Sequence, residues 1–211
     1  MELAPLFDLR LRTPHLELRL GTPDEIDELG RLARHGIHPP EVMPFGVAWT
    51  DGFGEPTFAD DFAAFHRDQL VNWNQDNWHL DLLVWADEVL VGNQELYGRA
   101  FRETRVVGSG SWLGAAHQGR GIGTEMRSAV LELAFVGLSA KAATSGWLEG
   151  NRASARVSEK LGYRETGVSE MSPRGVPVPH HDQRLERADW VCPVPVEIIG
   201  LEPALPLFGV G

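Results

Sequence analysis

Gln118-Gly119-Arg120-Gly121-Ile122-Gly123-Thr124 is the segment whose residue types and spacing most directly suggest chemistry. Its glycines lie between a run with the period of a β-strand, residues 106 to 113, and an amphipathic run in which Ile122, Met126, Val130 and Leu133 mark one face of a helix. Glycine lets backbone come close to a ligand, and the first N–H groups of a helix have no partner inside it. A helix start also favours negative charge, so the natural guest is an anion, above all a phosphate. Two common phosphate loops do not fit. No Gly-Lys-Ser/Thr follows, as a P-loop requires, and Thr124 stands where a dinucleotide fingerprint has its third glycine.

A second block stands about thirty residues further on, in Asn151-Arg152-Ala153-Ser154 followed by Val157-Ser158-Glu159-Lys160-Leu161-Gly162-Tyr163, with Asn151 placed to cap a helix. Gln118-x-x-Gly121-x-Gly123 resembles the Gln/Arg-x-x-Gly-x-Gly/Ala signature with which GNAT acetyltransferases hold the pyrophosphate of coenzyme A. The second block resembles the Asn-x-x-Ser/Ala to Leu-Gly-Phe/Tyr segment that closes their cofactor groove. Ser109-Gly110-Ser111-Trp112-Leu113-Gly114 and Arg184-Leu185-x-Arg187-x-Asp189-Trp190 make the RimJ/RimL type the most similar subgroup.

The resemblance covers residues 13 to 190. It implies an α/β (α+β) GNAT fold with a mixed, mostly antiparallel sheet of about seven strands and about four flanking helices. It also implies transfer of an acyl group, acetyl first and a longer one such as succinyl as the alternative, from acyl-coenzyme A to a primary amine by direct attack. The acyl-coenzyme A would contact Trp112, Leu113, Gln118, Gly119, Arg120, Gly121, Ile122, Gly123, Thr124, Asn151, Ser154 and Arg156. The Leu113 N–H would polarise the thioester oxygen. Many members carry tyrosine where this chain has Ser158, so Ser158 is the expected proton donor to the departing thiolate.

A lysine-like amine has a pKa of about 10.4, so deprotonating it at pH 7 costs roughly 4.6 kcal/mol. A general base therefore matters more than an acid acting on a thiolate of pKa about 8.5. Glu95, in the strand beside residues 106 to 113, is the first choice of base, ahead of Glu149 and His117. Arg120, Arg127, Arg152, Arg156 and Lys160 crowd the two helix starts and could offset phosphate charge. His180-His181-Asp182 offers too few ligands for a metal, so none is expected.

The elements that must position these residues follow from the rest of the chain. Residues 15 to 20 alternate as a strand, and Thr22-Pro23-Asp24-Glu25 is a capping box opening a helix to about Gly36. Residues 36 to 56 show no period and should be a long surface loop. Thr57 should cap a helix whose Phe58, Phe62, Phe65, Gln69, Leu70 and Trp73 pack into the core. Residues 80 to 85 and 89 to 96 read as a hairpin about Asp87-Glu88, and 142 to 148, the start at Tyr163 and 183 to 185 as further strands.

Residues 1 to 190 thus form one domain, and 191 to 211 a Pro-rich extension. With a net charge of −11 the chain lacks the basic face a nucleic acid needs, though it would favour a cationic amine. No apolar run is long enough for a membrane span, and the start shows no signal-peptide pattern, so a cytoplasmic location is expected. Pro5-Leu6-Phe7, Ile198-Ile199 and Leu205-Pro206-Leu207-Phe208 are apolar ends that predict a homodimer face. A non-catalytic acyl-coenzyme A-binding module and a partner-binding protein acting through the long loop and tail are the rival classes.

Overall fold

The computed structural model describes residues 2 to 210. The chain begins with one turn of helix, α1 (Ala4–Asp8), and two short strands, β1 (Arg10–Arg12) and β2 (Leu16–Arg19). Helix α2 (Pro23–Arg34) follows, capped by the box expected at Thr22: its side chain accepts from the Glu25 N–H while Glu25 reaches back to the Thr22 N–H. The Arg19 guanidinium hydrogen-bonds Glu25 and holds its carboxyl down to about 2. A depressed carboxylate lends stability above its unfolded value, so this contribution is lost as pH falls from the ordinary carboxylate range through about 2.

Helix α3 (Phe58–Val71) precedes the hairpin of β3 (Trp78–Ala86) and β4 (Val89–Gly98), turned by Asp87 and Glu88, both at positive φ. A short α4 (Phe101–Thr104) leads into β5 (Val106–Leu113). Then come α5 (Ile122–Glu132), which ends in a π turn, β6 (Ala142–Leu148), α6 (Arg152–Lys160), β7 (Arg164–Met171) and β8 (Val178–Glu186). The tail adds β9 (Glu197–Ile199) and α7 (Leu201–Ala204).

The sheet has nine strands in the order β7-β8-β6-β5-β4-β3-β2-β1-β9, antiparallel except where β5 pairs with β6. The expected seven are all present. The two additions, β1 and β9, are three residues each, too short for a period of two to register. One face of the sheet carries the main core beneath α5, with Val107, Leu113, Met126, Val130 and Leu185. The other face packs on α2 and α3 around Leu29, Leu83 and Leu90.

Three local expectations need correcting. Phe65 is 54% exposed, and His66 takes the inward position, because the buried Asp81 of β3 offers its imidazole a partner at 2.6 Å. Thr57 sits at the start of α3, yet its side chain makes no capping bond. Residues 36 to 56 are not featureless. They contain a 3-10 helix (Trp49–Gly54), bury Ile37 and Thr50, and are tied down at Gly36, Pro44 and Asp51 by Ala115, Asn151 and Arg174.

The chain's apolar ends meet each other. β9 pairs with β1, and Leu6, Leu207 and Phe208 are buried within their own subunit. Phe208 sits edge-on to Trp78 at 4.9 Å and to Trp73 at 5.3 Å, while Trp73 Nε1 donates to the Leu207 carbonyl at 2.9 Å. Of the apolar stretches from which a dimer face was expected, Leu6, Leu207 and Phe208 are thus buried inside the fold, Ile198, Ile199 and Leu205 are half-buried, and Phe7 and Pro206 are exposed. Phe208→Ala should cost about 3–5 kcal/mol, read as a fall in the denaturant midpoint. A loss below about 1 kcal/mol would show that the tail contributes little to the core.

Candidate active site

Several of the residues singled out from the sequence gather where β5 and β6 part. These parallel neighbours pair only at Val106 to Gly108 with Ala142 to Thr144, and beyond that they diverge. The Gly114 N–H donates to the Val91 carbonyl, which makes Gly92 and Leu113 a non-hydrogen-bonded pair of the antiparallel ladder. The Leu113 N–H therefore turns away from β4 and faces the gap, as an oxyanion donor would have to.

At the mouth of the gap the chain passes through Gly119 (φ 74°) and Gly121 (φ 89°) into α5. Both lie in the left-handed region that glycine enters without penalty. The Thr124 N–H bonds the Gly121 carbonyl, while the N–H groups of Gly121, Ile122 and Gly123 find no acceptor among the described residues. These free donors at a helix start suit an anionic group of the kind coenzyme A carries. Gln118 Nε2 donates to the carbonyls of Ile37 at 2.7 Å and Leu113 at 2.8 Å, pinning the loop to the end of β5. Ile122 leans on the main core, and the Thr124 carbonyl is taken by Ser128.

Opposite, Asn151 caps α6 by accepting from the Ser154 N–H at 3.1 Å. Arg120, Arg152 and Arg156 are exposed about the two helix starts, but Arg127 is not at the rim at all. It is buried beneath the sheet, 3.1 Å from the Ser158 hydroxyl, and Ser158 itself is fully buried. Trp112 points to the other face, where it meets Trp49 at 5.9 Å between ring centres.

That other face carries Glu95. Its carboxylate overhangs β5, so close that a Cβ on Gly110 would lie 3.1 Å from Oε2, and its Oε1 is 2.5 Å from His79 Nδ1. His79 in turn stacks on Tyr97. Beside them Asp81 is buried. Burial alone would raise its carboxyl, but the His66 charge and hydrogen bonds from His66 and Asn93 bring it below its ordinary value. Glu149 is engaged elsewhere, 2.8 Å from His181 Nε2, whose Nδ1 meets Glu165. These two carboxylates hold the His181 imidazole above its usual value. His117 lies in the turn after β5. The sequence reading missed His79, Ser111 and Ser145 as neighbours of the site. Cross-strand register is the signal that would have found His79, and no local pattern points to the serines.

The geometry therefore sets a carboxylate on one face of the sheet, a serine hydroxyl under the other and a backbone donor at the gap between β5 and β6. The family model for the acetyltransferase (GNAT) domain matches residues 15–164, and the chain belongs to that family. It is 29% identical over 94 residues to YjcK of Bacillus subtilis, described as a probable N-acetyltransferase; the match covers 44% of this chain and 52%, about half, of that relative. Among solved structures it is similar to Mycobacterium smegmatis RimJ in complex with CoA-disulfide, at 16% identity and TM-score 0.65 over 86% of this chain and 88% of that one. It is also similar to ribosomal-protein-S5-alanine acetyltransferase from Vibrio fischeri, at 14% identity and TM-score 0.62 over 86% and 98%. No helix among the described residues is long and apolar enough to cross a membrane.

Proposed function

We propose that the protein is an acyl-coenzyme A-dependent N-acyltransferase, with acetyl as the group transferred and a primary amine as the acceptor. The observation that carries this reading is the gap between β5 and β6, with free N–H donors at its mouth and the Leu113 N–H facing into it. The phosphates belong on the Gly121, Ile122 and Gly123 N–H groups, with Gly119, Arg120, Thr124, Asn151, Ser154 and Arg156 about them. The arm bearing the thioester runs into the gap past Leu113.

The amine approaches from the α2/α3 face, where Glu95 takes its proton. The neutral nitrogen attacks the carbonyl, the oxyanion is held by the Leu113 N–H, and the sulfur leaves toward Ser158. The acceptor is a protein N-terminus, a lysine or a small amine, drawn by the negative charge of the chain, in a cytoplasmic setting without nucleic acid or membrane. Ribosomal proteins are acceptors named for RimL, and for the relative from Vibrio fischeri, and that class heads the panel to be tried. The sum of the monomer's own packing leaves a homodimer to be measured by sedimentation.

Thiol release across acetyl- and succinyl-coenzyme A, with N-terminal peptides, polyamines and aminoglycosides as acceptors, tests the reading. Binding without turnover on any amine would turn it into a binding module. Ser158→Ala is expected to lower turnover about tenfold to a hundredfold with the Michaelis constant for acyl-coenzyme A nearly unchanged, since protonating a thiolate of pKa about 8.5 at pH 7 is worth roughly 2 kcal/mol. An unaltered turnover number would remove Ser158 from the reaction.

A further inference from the structure

Beneath the gap lies more positive charge than the reaction so far uses. Arg127, on the inner face of α5, is 4% exposed. Its Nη1 donates to Ser158 Oγ at 3.1 Å and Ser145 Oγ at 3.4 Å, its Nη2 to Ser111 Oγ at 3.2 Å, and its buried Nε has no partner among the described residues. No carboxylate among the described residues pairs with it. Its ionisable neighbour is Tyr163, a phenol that burial pushes up and so keeps neutral. A guanidinium buried among neutral oxygens has lost its hydration with no counter-charge in its place, which favours an anion beside it.

The three serines come from three elements: Ser111 from β5, Ser145 from β6 and Ser158 from α6. Each accepts from the guanidinium and so keeps its own hydroxyl hydrogen to donate. Because β5 and β6 part after Gly108 and Thr144, Ser111 and Ser145 stand half-buried on the two lips of the gap, over Arg127 and Ser158 as its floor. The result is a ring of donors around a cation that lacks an anion, beneath the gap assigned to the thioester arm.

We infer that Arg127, with Ser111, Ser145 and Ser158, is a thiolate-holding site, which keeps the coenzyme A sulfur ionised as it departs. This rests on the function proposed above. In the step, the N–C bond forms and the C–S bond breaks with its electron pair staying on sulfur. The ammonium proton goes to Glu95, and the sulfur, held as an anion by the guanidinium and by a hydrogen bond from the Ser158 hydroxyl, takes its proton from solvent as the product leaves. The floor is packed, with Ser158 at 0% and Arg127 at 4% exposure, which suits a single sulfur atom at the lip and leaves no depth for the carboxylate of a longer acyl chain.

The test is a titration of free coenzyme A bound to the intact protein, followed by the ultraviolet absorbance of the thiolate, with binding measured by calorimetry. Wild-type protein should hold the thiol at least tenfold more acidic than coenzyme A titrated free in the same buffer. Arg127→Gln should return it to near the free value and Arg127→Lys should recover part of the shift. Ser145→Ala, which leaves the charge in place, should give a smaller change and covers the case of an Arg127→Gln that does not fold. Bound coenzyme A that titrates like the free thiol in wild type overturns the inference alone, whereas no binding at all overturns the proposed function. Loss of activity in Arg127→Gln with succinyl-coenzyme A but not acetyl-coenzyme A would also overturn it, in favour of a site for an acyl carboxylate.

Discussion

Gly123→Asp is expected to give a folded protein that has lost coenzyme A binding by about a thousandfold. A Cβ at Gly123 would make only ordinary contacts, 3.5 Å from Val157 Cγ2 and 4.0 Å from Leu113 Cδ1, so the substitution fits. A carboxylate in the first turn even favours the helix itself. The same carboxylate competes for the free N–H groups and repels a phosphate about 4 Å away by roughly 4 kcal/mol at the effective dielectric of a protein surface, which is about three powers of ten. Stability and binding are therefore expected to move apart. Gly121→Asp makes a less clean test: its side chain meets open space, but φ of 89° costs a non-glycine residue about 1–2 kcal/mol. Calorimetry beside thermal unfolding reads both quantities, and unchanged affinity in a folded Gly123→Asp would remove the phosphates from this turn.

Glu95→Gln is expected to lower kcat about a hundredfold to ten-thousandfold near pH 7, the range a positioned general base contributes. The deficit should shrink as pH rises toward the pKa of the acceptor amine, since an amine that is already neutral needs no base. The size of the effect then reports on the acceptor. A lysine-like amine of pKa about 10.4 has roughly 4.6 kcal/mol to gain at pH 7, while an α-amine of pKa about 8 has only about 1.4 kcal/mol. His79→Ala should reproduce part of the loss, because the imidazole 2.5 Å from Glu95 orients that carboxylate. Wild-type activity of Glu95→Gln at pH 7 with a verified acceptor would pass the role to Glu149, His117 or a water on backbone carbonyls. Of these, Glu149 is already tied to His181.

How much of this was legible beforehand depended on the range of each signal. Strand, glycine turn and helix are announced by periods, caps and backbone requirements that act within a few residues. The capping box at Thr22, the Asp87-Glu88 turn, the cap at Asn151 and the bounds of β5 and β6 accordingly stand where the sequence puts them. The two glycine-bearing motifs belong to the same class of signal, which is why the family was visible in them.

What the tertiary structure decided are the relations between elements. Counted outward from the Asp87-Glu88 turn, an unbroken hairpin would set Glu95 opposite Leu80. A shift of register between Val84 and Trp85 sets it opposite Asp81 instead, on the face of His79, and sends Leu90 and Leu96 to opposite sides of the sheet. Gly92 permits the close approach there, since any Cβ would strike the Trp112 carbonyl. Likewise the turn of α3 that buries His66 rather than Phe65 depends on Asp81, and the burial of Arg127 depends on serines from three distant segments. The docking of the apolar tail on Trp73 and Trp78 joins residues more than a hundred positions apart. A local pattern can state that a residue will be inside, but which partner it meets is settled by side-chain volume and charge filling space together, and those terms exist only once the elements have packed.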